Sequence, residues 1–90
     1  VNGNGLIIPN NVTITMSTTG SVSSVGSNTL SGNVILSGTT NNFAINSAAD
    51  TLTLSGVVSE SGGVRNLTKN GAGTLALTGT NTYTGNTIIN

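Results

Sequence analysis

Charge is what this sequence has least of. Only Asp50, Glu60, Arg65 and Lys69 carry formal charge, 4% of 90 residues with a net charge of zero, where about 25% is ordinary. A chain with two cations cannot neutralise a run of phosphates, which removes the main energy source for binding nucleic acid. It also lacks the basic cluster that draws a protein to an anionic bilayer. Neither a nucleic-acid partner nor direct membrane insertion is expected. Cysteine is absent, which excludes a disulfide framework and a thiolate metal site. Histidine is absent too, so the commonest general base and a principal metal ligand are missing. No apolar run exceeds that of Leu6-Ile7-Ile8, far short of the ~18 residues of a membrane helix. No initiating Met, basic n-region or apolar h-region is visible. The expectation is a signal peptide upstream in a longer parent.

What is present is small and polar. Thr (16), Asn (14), Gly (13) and Ser (11) make up 54 of the 90 residues, beside 23 Val, Ile and Leu and a single Pro. Such polarity usually accompanies disorder, but together with charge and Pro. Here Thr and the aliphatics favour strands, and Asn and Gly favour tight turns. The reading is all-β, strands and turns without helix.

A short pattern recurs: two apolar residues at alternate positions, then Ser or Thr, then Gly. It occurs as Asn33-Val34-Ile35-Leu36-Ser37-Gly38, Thr51-Leu52-Thr53-Leu54-Ser55-Gly56 and Thr74-Leu75-Ala76-Leu77-Thr78-Gly79, with a degenerate copy at Asn11-Val12-Thr13-Ile14-Thr15. Aligned on Val12, Val34, Leu52 and Leu75, the copies differ in sequence number by 22, 18 and 23 in turn. A βαβ unit needs about 30 residues; one turn of a β-solenoid does not. Period-two alternation turns Val34 and Leu36, Leu52 and Leu54, and Leu75 and Leu77 inward. Weaker strands precede two of the copies, at Phe43-Ala44-Ile45 and Leu67-Thr68-Lys69. Gly62-Gly63, Asn70-Gly71 and Asn41-Asn42 mark turns where positive φ is cheap. The chain reads as about four rungs of 18–23 residues, each of two or three short strands, rising roughly 4.8 Å per rung.

Repetition explains the missing charge. In a parallel stack a charge faces its own copy one strand spacing away, whereas Thr, Ser and Asn can bond along the stack. Solenoids lean on their neighbours and carry polar end caps. None is evident here, and the sequence stops on Ile88-Ile89-Asn90 within a strand pattern. A segment of a longer array is expected. Residues 1–26 form a less regular first rung, 27–63 the middle rungs and 64–90 a distinct final motif.

That motif runs from Leu67 to Ile89: Leu67-Thr68-Lys69-Asn70-Gly71-Ala72-Gly73-Thr74-Leu75-Ala76-Leu77-Thr78-Gly79-Thr80-Asn81-Thr82-Tyr83-Thr84-Gly85-Asn86-Thr87-Ile88-Ile89. It resembles the passenger-associated transport repeat, also called the autotransporter-associated β-strand repeat, whose pattern is L-x-K-x-G-x-G-x-L-x-L-x-G-x-N-x-Y-x-G-x-T. Every fixed position is met. Upstream, Leu30-Ser31-Gly32, Leu52-Thr53-Leu54-Ser55-Gly56 and Ser61-Gly62-Gly63 also look like the family's rungs. The family pattern continues past Thr87 to another strand and Gly, which this sequence does not reach, and Val64-Arg65-Asn66 are inserted before Leu67.

The resemblance implies a right-handed parallel β-helix in the passenger of a type V secretion autotransporter, surface-exposed and outside the cell. The implied partners are neighbouring rungs and a C-terminal outer-membrane β-barrel in the parent. The repeat would aid translocation and folding and serve as the stalk of an adhesin-like protein. The alternative is a module that itself binds glycan or host protein. No cofactor is expected and no enzyme; a polysaccharide-degrading β-helix is the remote third reading. Within the motif, Gly71, Gly73, Gly79 and Gly85 read as turns or close backbone approaches, and Leu75 and Leu77 as core. Asn81 reads as an amide ladder or a turn, Tyr83 as a corner filler or a contact for sugar or protein, and Thr87 as the motif's last fixed position.

Other patterns carry less. Gly71-Ala72-Gly73-Thr74-Leu75-Ala76 fits a dinucleotide fingerprint on paper, but that needs a helix where this sequence reads as strand. A calcium β-roll needs repeated Asp, and Asp50 is alone. Asp50 and Glu60 are separated by about half a rung and are expected on different faces rather than as a glycosidase pair. Arg65 and Lys69 read as solvated charges, either of which could pair with Glu60 at little gain. An ice-binding Thr-x-Thr ladder is broken, since of the aligned copies only Thr51/Thr53 keeps both. The glycosylation acceptors Asn11-Val12-Thr13 and Asn66-Leu67-Thr68 read as chance among so many Asn and Thr.

Overall fold

The alternating segments become extended backbone. The structure, a computed structural model, describes residues 3, 5–8, 12–14, 22–38 and 41–89, with 12–14 as backbone. The Asn11 acceptor and much of the stretch 1–26 lie outside the described set. Among the described residues there is no helix, and the strands are β1 (Ile7–Ile8), β2 (Val12–Ile14), β3 (Val22–Ser23), β4 (Asn28–Leu30), β5 (Val34–Leu36), β6 (Asn42–Ala44), β7 (Thr51–Leu54), β8 (Val58–Glu60), β9 (Leu67–Asn70), β10 (Thr74–Leu77) and β11 (Thr87–Ile89).

These strands pair in parallel, in three sheets of order β1-β4-β7-β10, β2-β5-β8 and β3-β6-β9-β11. Parallel neighbours cannot be joined by a tight hairpin; the chain must travel round before it pairs. Here that journey is made through the other two sheets. The chain visits the β1, β2 and β3 sheets in turn, returns to the first at β4, and repeats. The result is an all-β, parallel-stranded architecture consistent with a β-solenoid.

The core lies on the inward-alternating positions. Leu30, Val34, Leu36, Phe43, Ile45, Leu52, Leu54, Val58 and Leu67 are buried in one cluster, with Ile8, Val22, Leu75, Leu77 and Tyr83 packed against it. Register stacks them in columns: Leu30 on Leu54 on Leu77, Val34 on Val58, Leu52 on Leu75, Val22 on Phe43.

The coil is not read in the register the motif suggests. Val12, Val34 and Val58 share one sheet, whereas Leu52 pairs with Asn28 and Leu75 in another. The Val34 and Leu52 copies therefore lie on different faces of the coil, with β6 between them, and the short interval between them is not a repeat length. True partners differ in sequence number by 22 (Val12 and Val34) and 24 (Val34 and Val58) in one sheet, by 24 (Asn28 and Leu52) and 23 (Leu52 and Leu75) in another, and by between 20 (Leu67 and Thr87) and 26 (Asn42 and Thr68) in the third. The Val34/Leu36 and Leu52/Leu54 faces carry the same inward aliphatic pair, so the motif cannot tell one of these faces from the other; pairing across the coils does. The repeat equivalent to Leu54-Ser55-Gly56 and Leu77-Thr78-Gly79 is Leu30-Ser31-Gly32.

Two further expectations change. Asn42 opens β6, and among the described residues positive φ occurs only at glycine, so Asn41-Asn42 is not a left-handed turn; Gly62, Gly63 and Gly71 do adopt positive φ. Lys69 is not a solvated charge. It lies 7% exposed on the inward face of β9, in register with Phe43. Its stem covers core while its ammonium donates to the Gly71 carbonyl.

Candidate functional site: contacts between successive coils

No pocket opens on the surface of the described residues, and no three metal-ligating side chains cluster there. The chemistry this chain displays is the joining of one coil to the next, at the corners between strands.

The corner after each of β4, β7 and β10 holds a glycine. A Cβ on Gly56 would collide with the carbonyl of Gly32, and one on Gly79 with the carbonyl of Gly56. The backbones are that close because the ladder continues into the corner: Ser55 N–H donates to Leu30 O at 3.0 Å and Thr78 N–H to Leu54 O at 3.1 Å. Gly71 has φ +94°, a left-handed conformation that L side chains rarely adopt. It lets the turn after β9 fold over Ile45, whose carbonyl accepts from Gly73 N–H at 2.7 Å and whose N–H donates to Asn70 O at 3.0 Å. Gly73 is buried against Ile45, and Gly85 sits over the Arg65 carbonyl.

Of the remaining motif residues, Leu75 and Leu77 are half-buried on β10, above Leu52 and Leu54. Asn81 is exposed and forms an isolated parallel bridge with Val58. Two backbone bonds hold it there, Val58 N–H to Thr80 O at 3.3 Å and Thr82 N–H to Val58 O at 2.8 Å. Tyr83 packs half-buried against the core and its hydroxyl lies 2.5 Å from Thr87 Oγ1. Thr87 opens β11, beside Leu67.

Sequence reasoning placed the amide chemistry at Asn81; the structure places it elsewhere. Asn28 is buried, accepting from Leu6 N–H at 3.1 Å and donating to Val25 O at 2.9 Å. Asn33 Oδ1 accepts from Val57 N–H at 3.1 Å. Asn41, 1% exposed, donates to Gly38 O at 3.1 Å and to Asn66 O at 2.9 Å. Asn66 Oδ1 in turn accepts from Asn86 N–H at 2.8 Å. These amides add side-chain hydrogen bonds between coils beside the backbone ones at the strand ends. Part of the signal was available: Asn41, Asn66 and Asn86 each stand just before a strand, but register aligns Asn66 with Asn86 and sets Asn41 in line with Leu67.

The acidic residues do not form a pair. Asp50 precedes β7, its N–H donating to Ser47 O at 3.0 Å, whereas Glu60 closes β8 in a different sheet. Glu60 gathers three donors: Arg65 N–H at 2.9 Å, Thr84 N–H at 2.9 Å and the Thr84 hydroxyl at 2.5 Å. The Thr84 hydroxyl, then the Thr84 and Arg65 backbone amides, hold its carboxyl below the usual carboxylate range. Arg65 turns its Nε to Ser61 O at 3.0 Å. The apparent dinucleotide fingerprint enters strand β10, not a helix. On the outer face Thr29 stacks on Thr53 and Thr51 on Thr74, but Ile7 and Ala76 interrupt the rows.

Two comparisons bear on this architecture. Residues 67–90 match the family described as Passenger-associated-transport-repeat. The chain thus carries the transport repeat that its residues from Leu67 onward resemble. It is also 44% identical, over 72 residues and 79% of its length, to the adhesin BmaC autotransporter of Brucella suis biovar 1 (strain 1330). The aligned region spans about 2% of that relative. No solved structure matches the chain.

Proposed function

We propose that this chain is a structural stretch of the secreted passenger of a bacterial autotransporter: a right-handed parallel β-helix of about four rungs. Within it, 1–26 is the first rung, 27–63 the middle rungs and 64–90 the transport-repeat motif. The parent stands on the cell surface, held by a C-terminal outer-membrane barrel. The observation that carries this reading is that the transport-repeat residues spend their contacts on the coil beneath: β10 on β7, Asn81 on Val58, Gly79 on Gly56. Such contacts suit a templating role. A chain threading a narrow pore is unfolded, and no ATP waits outside the cell. Coils that gain stability from the preceding coil can fold one at a time and so bias the chain outward. The motif glycines, Leu75, Leu77, Asn81, Tyr83 and Thr87 act here as folding determinants, and the segment carries no catalysis.

Deleting residues 71–87 from the parent should lower surface display while leaving the barrel inserted; unchanged display would refute the templating role. A second reading, direct binding of glycan or host protein, draws on the adhesin name of the relative. It predicts that the purified segment binds host cells or a glycan array, where a stalk shows no binding.

A further inference from the structure

We propose that Glu60 is an acid-sensitive latch that fastens the 80–85 passage to the coil beneath it, so that protonation releases this passage while the rest of the stack stays paired. The proposal stands on geometry and does not depend on the passenger reading.

Over β8 the regular ladder fails. Where β5 pairs with all of β8, the next coil offers β8 only the Asn81 bridge and its two backbone hydrogen bonds. Past Thr82 the carboxylate of Glu60 takes over. Register sets Glu60 opposite buried Leu36, so an acid stands where the coil below has an aliphatic side chain. Its oxygens accept from Thr84 N–H and Thr84 Oγ1 in the upper coil and from Arg65 N–H in the connecting loop. One side chain thereby joins two segments that no strand ladder joins.

Among the described residues the latch has no counter-charge in contact. In the connecting loop the Arg65 guanidinium donates to Ser61 O. From β9, the Lys69 ammonium donates to Gly71 O. In the 80–85 passage the titratable group is Tyr83, whose hydroxyl meets Thr87. Asp50 lies at the start of β7, in another sheet. Among the described residues the carboxylate is held by neutral donors alone, so protonation removes the charge that strengthens these bonds and adds an O–H that, of its three partners, only the Thr84 hydroxyl can accept. The sign follows. The folded-state pKa lies below the unfolded one, so the latch's contribution is present above the unfolded pKa and is lost as pH falls through the folded pKa.

Amide hydrogen exchange on the 90-residue chain, corrected for intrinsic rates, tests this between about pH 6 and about pH 3, a window that spans the ordinary Glu range. Protection at Thr82 and Thr84 should fall by about tenfold or more while that at Leu54 and Thr68 holds. In Glu60→Gln, which accepts but cannot ionise, the pH dependence at Thr82 and Thr84 should vanish. Equal pH dependence in both proteins, or none in the wild type, overturns the proposal. A readout that does not require that variant is the 13C titration of the Glu60 carboxyl. Its midpoint should lie below that of an ordinary Glu and rise in Thr84→Val; an unchanged midpoint overturns the latch.

Discussion

Strands β7 and β10 are nearly the same sequence in two settings. Thr51-Leu52-Thr53-Leu54-Ser55-Gly56 and Thr74-Leu75-Ala76-Leu77-Thr78-Gly79 align without a gap, and their strands pair with each other in register. Yet Leu52 and Leu54 are 0% exposed, while Leu75 and Leu77 are half-buried. Strand β7 lies between β4 and β10; β10 has one strand neighbour among the described residues, β7. In a stack, burial belongs to the number of coils around a residue rather than to the residue's motif. Nearest-neighbour stability of this kind is what repeat architectures share.

The comparison can be broken most decisively at the leucines. Leu54→Ala should destabilise the chain by about 3 kcal/mol, as expected for a fully buried leucine, and Leu77→Ala by about half of that. Equal shifts of the urea midpoint in the two variants would mean that motif, not stacking, sets the contribution. The glycine column should come next. Gly56→Ala forces a methyl into the Gly32 carbonyl and should cost about 2 kcal/mol, with Gly79→Ala smaller because fewer coils must shift. Circular dichroism melts of the pair would read this directly.

The amides sharpen the same contrast. Asn41→Ala strips donors from the carbonyls of Gly38 and Asn66, at a cost of about 1–2 kcal/mol. Asn81→Ala, at an exposed side chain, should change stability by less than about 0.5 kcal/mol. An Asn81 effect as large as that of Asn41 would place the amide ladder back in the motif. A comparably small change is expected for Tyr83→Phe. It loses the hydroxyl contact with Thr87 but keeps the ring on the core, and should cost about 0.5 kcal/mol by denaturant titration.

Much of the site was legible, but unevenly. Gly71 could be read as a turn because Asn-Gly tolerates the φ that the chain adopts. Leu52 and Leu54 could be read as core because alternation by two is local. Lys69 could not: alternation with Leu67 puts it inward, but a lysine in isolation is expected at the surface. Only the nearby Gly71 carbonyl makes the buried ammonium tolerable. Glu60 was legible as an acid and illegible as a clamp, since its donors at Thr84 belong to the next coil.

The sequence alone determined the all-β class, the inward aliphatic pairs, the glycine corners and the avoidance of like charges that a parallel stack imposes. These follow from the period of two, from backbone sterics and from composition, all of which act over short stretches of chain. Only the tertiary structure decided that Val34 stacks on Val58 rather than on Leu52, which asparagines stitch the corners, and where Glu60 finds its donors. Those choices depend on which residues meet after one full circuit of the coil, and the circuits differ in length from face to face. Several circuits satisfy the same local pattern, and only the sum of pairings round the coil selects one.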